Sequence, residues 1–506
     1  MSNESDPVNF LYGYVHGDIN HPEVLNMEQV INNVNGDQSL GLLLYLRYMP
    51  KRDPHIEKIH DLNAFLINGQ LPPNLIDLDC NNNLISNLPP LPAEMEYLSC
   101  NNNLIINLPI LPNSLQYLYC DDNQIILLPD LPQELITLTC NRNKLESLPQ
   151  LNNLENLMNL ECSHNKLTTI PMLPENEIGL RTFNCSNNFL QDLPNLPDSL
   201  SEINCSKNKI RNLPNILPYS LTEFDCSSNK YIQSLPSLSE SLNKLNCSKN
   251  NIFVLPSLPE NLIDLNCSYN KINNIPVLPI HLETLNISHN PIIGSISNIN
   301  LPSTIINFYC HNCQITDLPS NLPHNLKNFK CSENQISSLP TVLPNSLEKL
   351  NCSNNNLSVL PDLPNSLLEL HCRNNKFDDE SINKILGFYQ RAINEGFQET
   401  TPSFEEELAY FQIPRSQTLI NAFGQQPQHQ PQSLQARNIN KKVVTLKKKT
   451  IPNRSMLNIS EYAGIPYPPP SKNKSNPKGG KTKKKNKKIR KSNKIKTKKS
   501  VKKPKI

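Results

Sequence analysis

The 506-residue chain is longer than the roughly 250 to 300 residues that one hydrophobic core supports, so it must divide into domains or grow by repetition. Its formal net charge of +3 hides a division, because residues 437–506 contain 25 Lys and Arg and one acid, which gives them +24 and leaves −21 for residues 1–436. No apolar stretch is long enough to span a bilayer, and residues 1–15 lack a signal-peptide pattern, which argues against a membrane protein and favours an intracellular, non-secreted chain.

Residues 1–70 lack the repeat that organises the rest of the chain. Apolar residues fall at helical spacing over 21–34 and 38–49, separated by Asn35-Gly36, and again over 56–67. A stack of repeats exposes an apolar face at each end, so we expect these residues to form an N-terminal helical cap. The alternative is an F-box-like set of helices, which would make the protein a substrate-recognition adaptor for a ubiquitin ligase acting through residues 1–70.

From Leu71 to Phe377 the chain repeats the skeleton L-x-x-L-x-C-x-x-N-x-L in about fifteen copies, with 20 to 23 residues between successive Cys positions. In one copy, Leu115, Leu118 and Cys120 would point to the same side of a short strand. Such a strand cannot bury its apolar side alone, so the copies must stack into a curved parallel sheet. Twenty residues leave no room for a helix, and frequent Leu-Pro pairs predict an irregular or polyproline-like convex side.

Two columns of the repeat are predicted to be structural. An Asn stands three residues after the Cys in every copy but one, where Cys313 replaces it, and we expect these amides to bond the backbone of adjacent turns. Ile287 fills the Cys position once, which indicates a site for a compact apolar side chain. The alternative of metal or redox chemistry lacks partners at zinc spacing, apart from the isolated Cys310/Cys313 pair. The residues assigned to these columns include Asn83, Asn103, Asn123, Cys80, Cys100 and Cys120.

This skeleton resembles that of leucine-rich-repeat proteins, L-x-x-L-x-L-x-x-N/C-x-L, with Cys in the third Leu position. The P-x-L-P-x-x-L opening, as in Pro109-Ile110-Leu111-Pro112, is similar to the short repeats of bacterial effectors delivered into host cells. The Asn-, Ile- and Lys-rich composition resembles repeat proteins of giant DNA viruses of amoebae. The resemblance implies a solenoid that binds proteins on its concave sheet, in the host cytoplasm or nucleus for a viral protein. Effector ligases of this class place a Cys nucleophile after the solenoid, whereas no Cys follows Cys372 here.

Residues that face outward from the strands are the candidates for partner binding. Tyrosines among acids form a predicted patch in the early turns, made of Tyr97, Tyr117, Tyr119, Asp121 and Asp122. The middle turns offer mostly Asn, Ser and Thr. The candidates in the late turns are largely basic, and they are Tyr309, Lys327, Lys330, Lys349 and Arg373. For each of these residues the alternative is a solvated strand face without a partner.

After Phe377 the repeat ends. Apolar residues at helical spacing from Ile382 to Ile393, followed by a second segment over 403–411, predict a C-terminal helical cap over residues 378–412. The composition predicts a disordered linker over 413–470 and a disordered Lys-rich tail over 471–506. The densest run of the tail supplies the candidates for nuclear import or non-specific nucleic-acid binding, which are Lys483, Lys484, Lys485, Lys487, Lys488, Arg490 and Lys491. The alternative is a tail that only aids solubility.

No catalytic, cofactor or metal site is predicted. The 13 Gly form no phosphate-cradling loop, and the scattered His stand at different positions of the repeat. The sequence therefore predicts a non-enzymatic interaction scaffold without a cofactor, expected to be a monomer, that binds a protein partner on its concave face.

Overall fold

The computed structural model describes residues 73–176 and 179–394 together with the single positions 62, 66, 70, 71, 407, 410 and 411. The predicted N-terminal cap lies outside these residues except at positions 62, 66 and 70, and so does the adaptor function assigned to residues 1–70. The predicted linker and Lys-rich tail also lie outside them.

Fifteen three-residue strands form one parallel sheet in the described part of the chain, and neighbours in the sheet follow one another along the chain. The strands are in register, so that Tyr97 of one strand pairs with Tyr117 of the next. This arrangement confirms the predicted solenoid. Two further strands, β12 and β14, form a separate two-stranded parallel sheet. The strands are β1 (Asp77–Asp79), β2 (Tyr97–Ser99), β3 (Tyr117–Tyr119), β4 (Thr137–Thr139), β5 (Asn159–Glu161), β6 (Thr182–Asn184), β7 (Glu202–Asn204), β8 (Glu223–Asp225), β9 (Lys244–Asn246), β10 (Asp264–Asn266), β11 (Thr284–Asn286), β12 (Gly294–Ser295), β13 (Asn307–Tyr309), β14 (Ile315–Asp317), β15 (Asn328–Lys330), β16 (Lys349–Asn351) and β17 (Glu369–His371).

We number the turns of the solenoid 1 to 15 by the strands of the large sheet, so that turns 1–11 contain β1–β11 and turns 12–15 contain β13, β15, β16 and β17. Each strand follows a tight turn. In turn 3 the N–H of Leu115 donates to the carbonyl of Pro112 at 3.2 Å, and similar bonds to a Pro precede most strands. Because Pro fixes φ and has no N–H of its own, it holds the return segment extended up to this turn.

Stacked apolar side chains fill the interior. Leu115, Leu118 and Cys120 of turn 3 are completely buried, and the residues at the same positions of the other turns are buried as well. All fifteen cysteines are buried free thiols. Burial raises the pKa of these thiols, to about 12 in Cys80 and to about 11 in Cys313. They therefore remain neutral at physiological pH and pack as small apolar side chains.

A column of Asn side chains bonds successive turns where the chain leaves the sheet. The amide of Asn123 donates to the carbonyls of Cys100, Cys120 and Asp121 at 2.9, 3.3 and 3.0 Å, and its oxygen accepts the N–H of Ile105 at 3.0 Å. Asn83 and Asn103 lie in the same column and are also buried. Each amide thereby satisfies backbone groups of its own turn and of the preceding turn, which holds the spacing of the stack.

Cys313 stands in this column in turn 12 and forms fewer bonds. Its thiol donates to the carbonyls of Ile287 and His311 at 3.2 and 3.4 Å, but it offers no oxygen to the preceding turn. There, the N–H of Ile292 turns instead to the carbonyl of Asn290 at 2.9 Å. The same stretch is one of the long turns, and its strand β12 pairs with β14 in the separate two-stranded sheet. This small sheet was not predicted from the sequence.

The residue two places after the Cys position has a positive φ in all fifteen turns of the described structure, between 51° in Arg142 and 62° in Asn82. Its N–H continues the ladder between turns, as in the 2.9 Å bond from Asn82 to the carbonyl of Asn101. Asn or Asp occupies seven of these positions, where the left-handed conformation costs least. Larger side chains such as Lys207 and Glu333 occupy others, so the stack imposes this conformation against local preference.

A C-terminal helix, α1 (Asp379–Asn394), covers the end of the stack, as predicted. The carboxylate of Asp378 caps it by accepting the N–H of Ser381 at 2.9 Å. The hydroxyl of Tyr389 donates to the carbonyl of Leu370 at 2.6 Å, while Phe388 and Tyr389 are buried against the last turn. Of the second predicted cap segment, only positions 407, 410 and 411 are described.

Candidate functional site: the concave face of the sheet

The concave face is formed by the outer residues of each three-residue strand. In β3 the central residue Leu118 is buried in the core, while Tyr117 and Tyr119 on either side of it are partly exposed on the opposite face. The parallel register places equivalent residues of neighbouring turns side by side, at about 4.8 Å. Side chains that are 20 or more residues apart in sequence therefore form continuous columns.

Three tyrosines form a cluster on turns 2 and 3. The ring of Tyr97 lies 6.2 Å from that of Tyr117 and 5.4 Å from that of Tyr119. Burial and the two neighbouring tyrosines raise the pKa of Tyr119. The carboxylate of Asp121 accepts the N–H of Asn141 at 2.6 Å, and burial raises its pKa. The three tyrosines thus lie together, while Asp121 bonds turn 4 and Asp122 lies 3.9 Å from Arg142 in the turn after the strand.

Turns 5 to 10 carry a shallow acidic groove of about 480 Å³, which the sequence analysis missed. Lys244 is its one cation, flanked in the neighbouring strands by Glu223 and Asp264 and ion-paired with Glu223. Burial raises the pKa of Asp264, which Lys244 partly offsets. The acids of the groove are Glu161, Glu202, Glu223, Asp225 and Asp264. Each turn taken alone offers mostly Asn and Ser, which conceals the groove. Aligning the equivalent strand positions of successive turns would have revealed it.

The predicted late basic residues are largely paired with acids. Lys349 lies 3.1 Å from Glu369, and Lys327 lies 2.9 Å from Glu348 at the edge where the strands begin. The ammonium of Lys330 lies over the ring of Tyr309, 5.6 Å from its centre. The two ion pairs lower the positive charge that turns 12 to 15 present to a partner.

A buried carboxylate ends the concave face at the last turn. Glu407, only 1% exposed, lies 3.6 Å from His371 and 3.7 Å from Arg373. His371 also bonds Glu369 at 2.8 Å, and these two carboxylates raise the pKa of His371 to about 9. The imidazole is consequently charged at neutral pH. Arg373 is thus held by the C-terminal segment, a contact that sequence reasoning did not anticipate.

The described residues also bear on other classes of function. None of their helices is long and apolar enough to cross a bilayer. They contain no cluster of three or more His, Cys, Asp or Glu side chains arranged to hold a metal ion.

No protein-family model and no curated protein matches the chain. Among solved structures, the leucine-rich effector protein YopM from Yersinia pestis is 27% identical, with a TM-score of 0.54, over 73% of this chain and 100% of that protein. YopM from Yersinia enterocolitica is 27% identical over 74% of this chain and 97% of that chain, with a TM-score of 0.35. The functional domain of InlJ from Listeria monocytogenes, which includes a cysteine ladder, is 27% identical over 60% of this chain and 63% of that chain, with a TM-score of 0.49. The parallel solenoid and its likeness to the Yersinia pestis effector show that this chain has the leucine-rich-repeat fold.

Proposed function

We propose that the protein is a non-enzymatic scaffold that binds a protein partner on the concave face of its sheet. One observation carries the proposal: the buried positions repeat almost unchanged through fifteen turns, while the concave positions change from tyrosines to acids to ion pairs. A surface built on a fixed frame with variable side chains is suited to recognition. The likeness in fold to a leucine-rich effector protein supports this role.

The partner should present a basic surface with room for aromatic contacts. At the strand positions and the residue after each Cys position, turns 1–10 carry eight acids against Lys244. They are Asp77, Asp79, Asp121, Glu161, Glu202, Glu223, Asp225 and Asp264. Charge of one sign over a concave surface steers a partner of the opposite sign and raises its association rate. The tyrosine cluster adds contact area that is already ordered before binding.

Two features support an intracellular location. All fifteen thiols are free and buried, which suits a reducing compartment. The Lys-rich tail over 471–506 is proposed to direct nuclear import or to bind nucleic acid without sequence preference. Deleting residues 471–506 from a fluorescent fusion should shift the protein from nucleus to cytoplasm, and an unchanged distribution would reject the import role.

The concave site is tested by a triple substitution, Tyr97→Ala, Tyr117→Ala and Tyr119→Ala, in the full-length chain. If the cluster is a hot spot, affinity for a partner captured by cross-linking should fall by more than about 2 kcal/mol, with little change in melting temperature. A matched control replaces three exposed residues away from the sheet, Ile216, Tyr219 and Val277, with Ala. Equal binding by the tyrosine variant and the wild type, or an equal loss in the control, would place the partner elsewhere.

A further inference from the structure

A second charged surface runs along the edge where the chain leaves the sheet, in turns 4 to 10. It consists of the outward-pointing side chains two, four and six residues after each Cys position, on either side of the buried Asn and the next buried apolar residue. In turn 8 the buried apolar residue is Ile232, six places after the Cys, and the outward side chain beside it is Tyr231. We call it the exit-edge strip. Its cations are all exposed, and they are Arg142, Lys144, Lys166, Lys207, Lys209, Arg211, Lys230, Lys249 and Lys271.

The strip has few acids to balance these nine cations. Within it the only acid is Glu146, and Asp122 of turn 3 lies 3.9 Å from Arg142 at its margin. Partial burial lowers the pKa of His164, and the nearby charges of Arg142 and Lys207 lower it further. The positive character of this edge contrasts with the acidic groove on the concave face of the same turns.

Aromatic rings alternate with the cations of the strip. The ammonium of Lys209 lies 4.7 Å from the centre of the Phe189 ring, and that of Lys271 lies 5.2 Å from the Phe253 ring. Arg211 and Lys249 lie similarly over Tyr231 and Tyr269, at 5.0 and 5.7 Å. All four rings are close to half-exposed. Each pair joins neighbouring turns, so a ring beside a cation recurs along the strip.

The ring of His289 stacks on that of Tyr269 with their centres 3.9 Å apart, so Tyr269 is part of the strip without offering an open face. We propose that the exit-edge strip binds single-stranded nucleic acid, with phosphates along the cations and bases stacked on the rings of Phe189, Tyr231 and Phe253. Surfaces that bind single strands combine these two features, since every base has a face that can stack on an aromatic ring. A duplex offers phosphates but keeps its bases stacked on each other, and an acidic peptide has no bases to stack. Six steps of about 4.8 Å give a strip of roughly 29 Å. This length suits a short segment near the lower end of the roughly 4 to 16 nucleotides that single-strand-binding surfaces cover.

The test removes the tail as a competing site. In a full-length chain with every Lys and Arg of residues 437–506 replaced by Gln, binding of a fluorescein-labelled 15-nucleotide oligouridylate is followed by anisotropy against salt. Lys166→Gln with Lys207→Gln should weaken binding about tenfold at low salt and reduce the log–log salt slope by about 1.4, since each phosphate contact contributes about 0.7. The matched control is Arg181→Gln with Lys376→Gln, two exposed cations outside the strip, and it should leave both quantities unchanged.

The rings are tested by Tyr231→Leu, which removes the stacking face and keeps an apolar side chain. It should weaken binding by roughly tenfold without changing the salt slope, because no phosphate contact is lost. Failure of the tail-neutral chain to bind the oligonucleotide would overturn the proposal, as would equal losses in the strip and control variants. Equal affinity for a duplex of the same length, or for polyglutamate, would overturn it in favour of a surface that recognises charge alone.

Discussion

The interior and the concave face of the sheet are one residue apart in sequence, yet they differ in how much they vary. Leu118 and its counterparts are buried apolar residues in every turn, whereas Tyr117 and Tyr119 beside it are replaced by Thr, Asn, Glu or Lys in other turns. The buried positions are constrained by packing against two neighbouring turns. The concave positions meet only their own column, so they can change without altering the frame.

The largest expected loss of stability comes from removing one side chain of the buried Asn column. Asn123→Ala removes three donated bonds and the acceptor of the Ile105 N–H, and it leaves those backbone groups buried without partners. We expect the free energy of unfolding to fall by about 1 to 3 kcal/mol. Denaturant unfolding of the full-length chain measures it, with Gln124→Ala on the adjacent surface as the control, expected to change by less than about 0.5 kcal/mol.

The opposite substitution, which adds an Asn to this column, is possible in turn 12. Cys313→Asn offers the N–H of Ile292 the side-chain oxygen that serves this purpose in other turns, in place of its bond to Asn290. This variant should therefore be neutral or up to about 1 kcal/mol more stable. Equal stability of Asn123→Ala and the wild type would show that the amide column does not hold the turns together.

The second prediction concerns the last turn, where the concave face meets the C-terminal segment. The pKa of His371 is raised to about 9 by Glu369 and Glu407, above the ordinary value of about 6.5. A group whose pKa is raised in the folded state stabilises that state fully below pH 6.5, and this contribution is lost as pH rises through 9. Because Glu369 is partly exposed and solvent screens it, we expect about 2 kcal/mol at most.

His371→Gln should therefore lower the melting temperature at pH 6 and have little effect at pH 10. The matched control is His324→Gln, an exposed histidine outside the sheet, which should leave the melting temperature unchanged at both values. A pH-independent difference between His371→Gln and the wild type would mean that the ion pairs with Glu369 and Glu407 contribute no stability.

The smallest expected effect concerns the positive φ that the stacked turns impose on residues that do not favour it. Glu333 has a φ of 56°, a conformation that Asn adopts at lower cost. Glu333→Asn should raise the free energy of unfolding by several tenths of a kcal/mol. Gln335→Asn is the control, since Gln335 does not have a positive φ, and it should not stabilise. A gain of the same size in both variants would point to a general effect of Asn on this surface.

The frame was predictable from sequence because it repeats. Leu, Cys and Asn at fixed spacing specify the strand, its buried side and its turn, and the apolar spacing from Ile382 to Ile393 specifies the cap helix. The two-stranded sheet of β12 and β14 was missed, because the length of a turn does not predict it. The equally long turn between Cys162 and Cys185 has no additional strand among its described residues.

The concave surface was less predictable, because its chemistry depends on pairs formed between turns. The ion pairs of Lys349 with Glu369 and of Lys327 with Glu348 join residues 20 or 21 positions apart, which only an alignment of columns brings together. Aligning the columns would not have revealed the contact of Arg373 with Glu407, since Glu407 lies beyond the repeat.

The central claim is that recognition takes place on the concave face, and site-specific photo-cross-linking tests it most directly. Benzophenone-bearing residues replace Tyr119 on the concave face and Tyr219 in the turn before β8, in separate full-length proteins. After irradiation in cell extract, the account predicts a discrete protein adduct from position 119 and none from position 219. An excess of a fragment that carries the basic face of the partner should prevent the adduct at position 119. Adducts from position 219 alone, or the same adducts from both positions, would contradict it.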